Sequence, residues 1–301
     1  MLQAMLNPPA PVKVETLREL GPRYLKSRID LDTKTEKGHR SALERFYLWA
    51  GDRGPHDLTW SDCQECVGSL IEGDPDNGIK PLKPGTAKKY FNVLKMLLDF
   101  ADCDPNPARD RRVKLPTVRA EEPNPPTGKQ FLAILDNVPE EWVLAFVMQE
   151  QTGTYLDEIL SLTWGDVDVA ERKFRLRFAN VKRGNRARAR TLQVPDWLMD
   201  VTEQTCPLED RTAERKVFQG LKDDTGRKIM ARACRNAGIP HFSPKNLRER
   251  RASIWHHRGL PAKTLAERLG HSKASMSLDV YTHTLDPGDC QVEELQARVV
   301  R

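Results

Sequence analysis

The chain of 301 residues has no apolar run that approaches the roughly 20 residues a membrane-spanning helix needs. Leu94–Leu98, one of the longest runs, is interrupted by Lys95. The opening MLQAMLNPPAPVK has no basic stretch ahead of an apolar core, so it does not read as a secretory signal. Cysteine is scarce, six residues in all, too few for a disulfide framework in a chain of this length. Cys63 and Cys66 form a C-x-x-C, but Cys103 stands alone, and His39 and His56 are not spaced to complete a zinc site. These are expected to be reduced thiols on a short helix, with no metal and no cofactor, in a cytoplasmic protein. Aromatic residues are only 7% of the chain, but hydrophobic residues are 39%, enough to fill two modest cores. Internal repeats and low-complexity tracts are absent too. Secreted, membrane, collagen-like and coiled-coil classes are thereby excluded.

Net charge is also small. Lys plus Arg is 48 against 43 Asp plus Glu, a surplus of +5 that alone names no partner. Its distribution is more telling. Residues 171–190 hold nine Lys/Arg against Glu171 alone, and residues 245–258 hold Lys245, Arg248, Arg250, Arg251 and Arg258 against Glu249. Islands of this kind in a near-neutral chain are the footprint expected of contacts to nucleic-acid phosphates.

Residues 105–127, rich in proline and charge and without apolar periodicity, read as an extended linker. Ahead of it, spacings of three and four predict helices over Val14–Ser27, Thr35–Ala50, Ser61–Ile71 and Lys83–Ala101. After it, Gly128–Asn137, Glu140–Glu150 and Leu156–Leu162 read as helices. Lys173–Phe178 and Thr191–Val194 read as strands joined by the basic loop Ala179–Arg190, and helices resume from Asp196.

Ordered motifs fill the second part. Thr152-Gly153 is followed by Glu158, Leu162, Trp164, Asp166 and Asp168. The basic hairpin comes next, then Lys245-Asn-Leu-Arg248, Leu269-Gly270-His271, and Tyr281 in LDVYTH. Together they resemble the tyrosine recombinase (phage integrase) family over most of the chain. The resemblance implies a mainly α fold with a small β-hairpin or sheet. A four-helix SAM-like core-binding domain would span 10–106, a linker 107–126, and a mixed α/β catalytic domain 127–301.

The chemistry fits the residue types. Cutting a phosphodiester without water requires a nucleophile that holds the phosphate covalently, cations around the non-bridging oxygens, and an acid for the leaving oxygen. The resemblance implies that Tyr281 is the nucleophile, forming a 3′-phosphotyrosyl link. Arg248 would clamp the phosphate, Lys245 would hydrogen-bond it and assist proton transfer, and His271 would contact a non-bridging oxygen. Lys182, or its neighbour Arg183 if the register slips by one, would be the acid. Arg183, Arg186, Arg188, Lys88 and Lys89 are expected to bind DNA. Glu158 and Trp164 read as structural.

One position departs from the family pattern. Tyr155 stands where T-G-x-R-x-x-E has its arginine. The chain is then a slowed recombinase, a DNA-binding homologue with a regulatory role, or an enzyme in which another cation, Arg250 or Arg251, enters the site. The implied partners are double-stranded DNA, further copies in a homotetramer on two DNA sites, and an accessory DNA-bending protein. The implied setting is a bacterial or phage-encoded, nucleoid-associated protein. The helix expected over Gln291–Val300 would dock on a neighbouring subunit. An arm-site domain like that of larger phage integrases is not expected.

Overall fold

The computed structural model describes residues 15–118, 124–176, 190–271 and 287–300. They form two compact units that part at Ala120 and Glu121. Among the described residues, no helix is long and apolar enough to cross a membrane.

The first unit is helical: α1 (Leu17–Ser27), α2 (Thr33–Ala50), α3 (Trp60–Glu72) and α4 (Pro84–Phe100). Each start has a local cause. Thr16 and Glu19 form a reciprocal cap on α1, Asp32 accepts from two backbone amides of α2, and Thr59 caps α3 with Asp62. Pro84 opens α4, where its missing N–H costs nothing. The inward faces meet in one core that includes Leu17, Tyr24, Phe46, Leu70, Phe91 and Leu97. Cys63 and Cys66 lie inside it, and burial pushes the Cys63 thiol up to about 12. The stretch read as linker begins as part of this unit. Ala108 is buried, Asn106 donates to the Lys95 carbonyl, and Val113 and Leu115 lie against the helical core.

The second unit contains α5 (Gly128–Leu135), α6 (Glu140–Thr152), α7 (Leu156–Leu160), β1 (Val167–Asp168), β2 (Lys173–Leu176), β3 (Arg190–Gln193), α8 (Asp196–Gln204), α9 (Asp223–Asn236), α10 (Pro244–His257), α11 (Ala262–Leu269) and α12 (Val292–Val299). The strands form one antiparallel sheet in chain order, with Phe174 opposite Leu192 and Leu176 opposite Arg190. β1, only two residues long, was not expected from sequence. Helix α6 is the spine: every residue from Trp142 to Glu150 is buried, as in a helix surrounded by others. α10 lies along it.

Helix α12 packs on α5, α6 and α8 of its own chain, and Leu295, 1% exposed, is part of their core, while Val292 remains exposed.

Candidate active site

The corner between α6 and α7 explains the Thr-Gly pair. Thr152 donates its hydroxyl to the Met148 carbonyl and closes α6. Gly153 then adopts a left-handed conformation with φ +64°. A Cβ there would lie 2.9 Å from the Trp255 ring, so glycine is needed for both shape and space. Tyr155 precedes α7, and its N–H donates to Glu158 Oε2 at 2.8 Å.

Arg248 reaches this corner from α10. The residue is 3% exposed, and its guanidinium donates to the Gly153 carbonyl at 2.9 Å and the Leu269 carbonyl at 2.6 Å. The Tyr155 ring lies against it, 4.2 Å from ring centre to guanidinium carbon. The contact is a cation–π stack.

The Leu-Gly-His segment is the C-terminal cap of α11. Leu269 is buried, Gly270 turns left-handed at φ 71°, and the His271 N–H returns to the Ala266 carbonyl at 2.8 Å. The turn leaves His271 beside two guanidinium groups. Burial first, then Arg248 and Arg190, hold its imidazole down to about 4, so it is neutral at pH 7.

Arg190 and Glu158 were missed as site residues by the sequence reading. Arg190, on β3, forms a bidentate pair with Glu158 at 2.7 and 2.9 Å. Its Nε donates to the Arg268 carbonyl at 3.0 Å. Glu158 is 2% exposed and also holds the Tyr155 amide, so it ties the α7 corner to the sheet. The signal in the sequence was Glu158 at a fixed distance from Thr-Gly. Nothing there showed that the last arginine of a basic run would be its partner.

The remaining candidates are placed differently. Lys245 is largely exposed at the start of α10, and its ammonium is held by Glu249 at 2.7 Å. Arg250 and Arg251 do not enter the site, contrary to one expectation. Arg250 is wholly buried, donating to the Pro126 and Pro287 carbonyls and lying 3.2 Å from Glu150. Arg251 pairs with Glu150 and Asp289. Both are drawn inward because Glu150, deep in α6, needs positive partners. Lys88 and Lys89 are exposed on α4 of the first unit. Tyr281, Lys182, Arg183, Arg186 and Arg188 lie outside the described residues.

Comparison with known proteins bears on family and fold. The phage integrase family profile matches residues 127–287. A "Tyrosine recombinase XerC-like" protein of Caldanaerobacter subterraneus subsp. tengcongensis is 26% identical over 178 residues, 46% of this chain and 45% of that one. The chain thus spans less than half the length of that curated relative. Among solved structures, the Tn1549 transposon integrase in complex with transposon right-end DNA superposes at a TM-score of 0.70. It is 16% identical, over 95% of this chain and 99% of that one. A lambda integrase dimer bound to a COC′ core site gives 0.68 at 17% identity, over 91% of this chain and 96% of that one. A lambda integrase tetramer bound to a Holliday junction gives 0.65 at 18% identity, over 91% and 78%. With the profile covering more than half of its length, the chain belongs to the phage integrase family, the tyrosine recombinases.

Proposed function

We propose that the chain is a site-specific DNA strand transferase that cuts and rejoins DNA through a 3′-phosphotyrosyl intermediate. One observation carries this: the Thr-Gly corner, the Lys-x-x-Arg helix and the Leu-Gly-His cap, far apart in sequence, converge on the buried Arg248 guanidinium. A buried arginine flanked by a neutral histidine suits a phosphodiester better than a carboxylate partner that would neutralise it.

In this reading the Tyr281 hydroxyl releases its proton to solvent as its oxygen attacks the phosphorus, and the bond to the 5′-oxygen breaks. That oxygen takes a proton from Lys182. The phosphodiester energy stays in the tyrosyl link, and an incoming 5′-hydroxyl reverses the step. Arg248 holds one non-bridging oxygen, neutral His271 donates a hydrogen bond to the other, and Lys245 leaves Glu249 to join them. Tyr155 takes the place of the family's first arginine and slows the reaction, because its ring orients Arg248 without adding charge. Arg183, Arg186, Arg188, Lys88 and Lys89 bind the DNA backbone. Residues 10–106 and 127–301 act as two DNA-gripping domains joined by 107–126, working as a homotetramer on two sites with an accessory DNA-bending protein.

The test uses a library of nicked duplexes with a randomised core, incubated with the full chain. DNA that stays attached to protein in detergent is recovered and sequenced. Wild type should enrich a defined sequence, Tyr281→Phe should recover none, and Tyr155→Arg should raise the yield. Salt-sensitive binding with no wild-type adduct would overturn the transferase reading in favour of a DNA-binding homologue.

A further inference from the structure

We propose that Arg190, on β3, is the second guanidinium at the scissile phosphate and supplies the charge that Tyr155 does not bring. This deepens the strand-transfer reading and rests on it. A phosphodiester gains negative charge on both non-bridging oxygens as the fifth bond forms, so one cation serves only part of the change.

The geometry points to Arg190. Its Nε donates to the Arg268 carbonyl, and Arg248 donates to the next carbonyl along, that of Leu269. Both guanidinium groups are therefore seated on the last turn of α11, whose carbonyls and negative dipole end attract them. Glu158 connects them from the other side. One of its oxygens accepts from Arg190 and from the amide of Tyr155, and the Tyr155 ring stacks on Arg248. His271, from the same α11 cap, lies within the field of both arginines.

Glu158 does not cancel this role. Its bidentate hold aligns the Arg190 plane, and an arginine fork can serve acceptors on different edges at once. The other arginines near α10 are committed elsewhere, Arg250 and Arg251 to Glu150. Arg190 is thus a cation delivered from the sheet to the place where a charged side chain at 155 would otherwise begin.

The experiment compares two versions of the duplex recovered from the library, one with the ordinary phosphate at the cut position and one with a neutral methylphosphonate. The enzyme is the full chain, wild type or the double variant Glu158→Gln, Arg190→Gln, which keeps a hydrogen-bonded pair of similar shape without charge. Thermal unfolding verifies that the variant is folded. With the phosphate, adduct formation should fall about 10²–10³-fold. With the methylphosphonate, which develops less negative charge, the variant should stay within about threefold of wild type. Equal loss on both substrates, or no loss on either, would overturn Arg190 as a phosphate ligand while leaving strand transfer standing. A wild type that forms no adduct with either duplex would overturn both.

Discussion

Gly153 meets two demands that no other residue type satisfies together. Its φ of +64° is left-handed, and the Trp255 ring occupies the space of a Cβ. Gly153→Ala should cost about 2 kcal/mol or more, combining left-handed strain with displacement of a buried ring. A urea unfolding curve measures it, and an unchanged midpoint would mean that the α6–α7 corner yields freely. His271 makes a different prediction. Its folded value of about 4 lies below the 6.5 of a free imidazole. Between those values the unfolded chain binds a proton that the folded chain refuses. Stability should therefore fall as pH drops through this window and lose nothing more from this group below it. Half exposure screens the effect and keeps it modest. His271→Asn should flatten the slope of melting temperature against pH between about 6.5 and about 4. An unaltered slope would assign the decline to other groups.

Helix α10 was the element least legible in the sequence. Its arginines read as one phosphate-contacting island, yet Arg248, Arg250 and Arg251 are all buried, the last two against Glu150. Periodicity could not reveal this, because a buried arginine looks like a surface one until its acceptor is known. The acceptors come from α6 and the Gly153 corner, from Pro126, from Leu269, and from Pro287 and Asp289, all distant in sequence. The helices of the first unit were legible because their apolar residues recur at helical spacing and their caps are local. The core of the second unit was only half legible, since α6 is buried all round and has little polar face to mark its period. The inward arginines make Glu150 a keystone, pairing with Arg250 and Arg251 at 1% exposure. Glu150→Ala should cost about 3–5 kcal/mol, because it strands two buried guanidinium groups. Removing a surface partner instead, with Glu36→Ala against Arg40 on α2, should cost under about 0.5 kcal/mol. Chemical denaturation of the two variants in parallel checks the contrast, and similar losses would refute it.

At the scale of the whole molecule, the inward turn of α10 changes where a phosphate backbone finds its positive charge. Two basic islands were visible in the sequence, at 171–190 and 245–258, and both read as phosphate-contacting. In the second, the charges that face solvent are Lys245 and Arg258, and each holds a carboxylate, Glu249 and Asp289. This island builds the fold and the site and has little left for general DNA attraction. Under the proposed function, the first island is then expected to carry most of the sequence-independent binding. Each phosphate contact that releases a counterion adds about 0.9 to the slope of log affinity against log salt. Arg186→Ala and Arg188→Ala should each flatten that slope by about 0.9, whereas Arg258→Ala should leave it nearly unchanged. Fluorescence anisotropy with a labelled duplex of arbitrary sequence, titrated at several salt concentrations, gives the slopes directly. Flattening by Arg258→Ala with none from the hairpin variants would return the DNA-facing charge to α10.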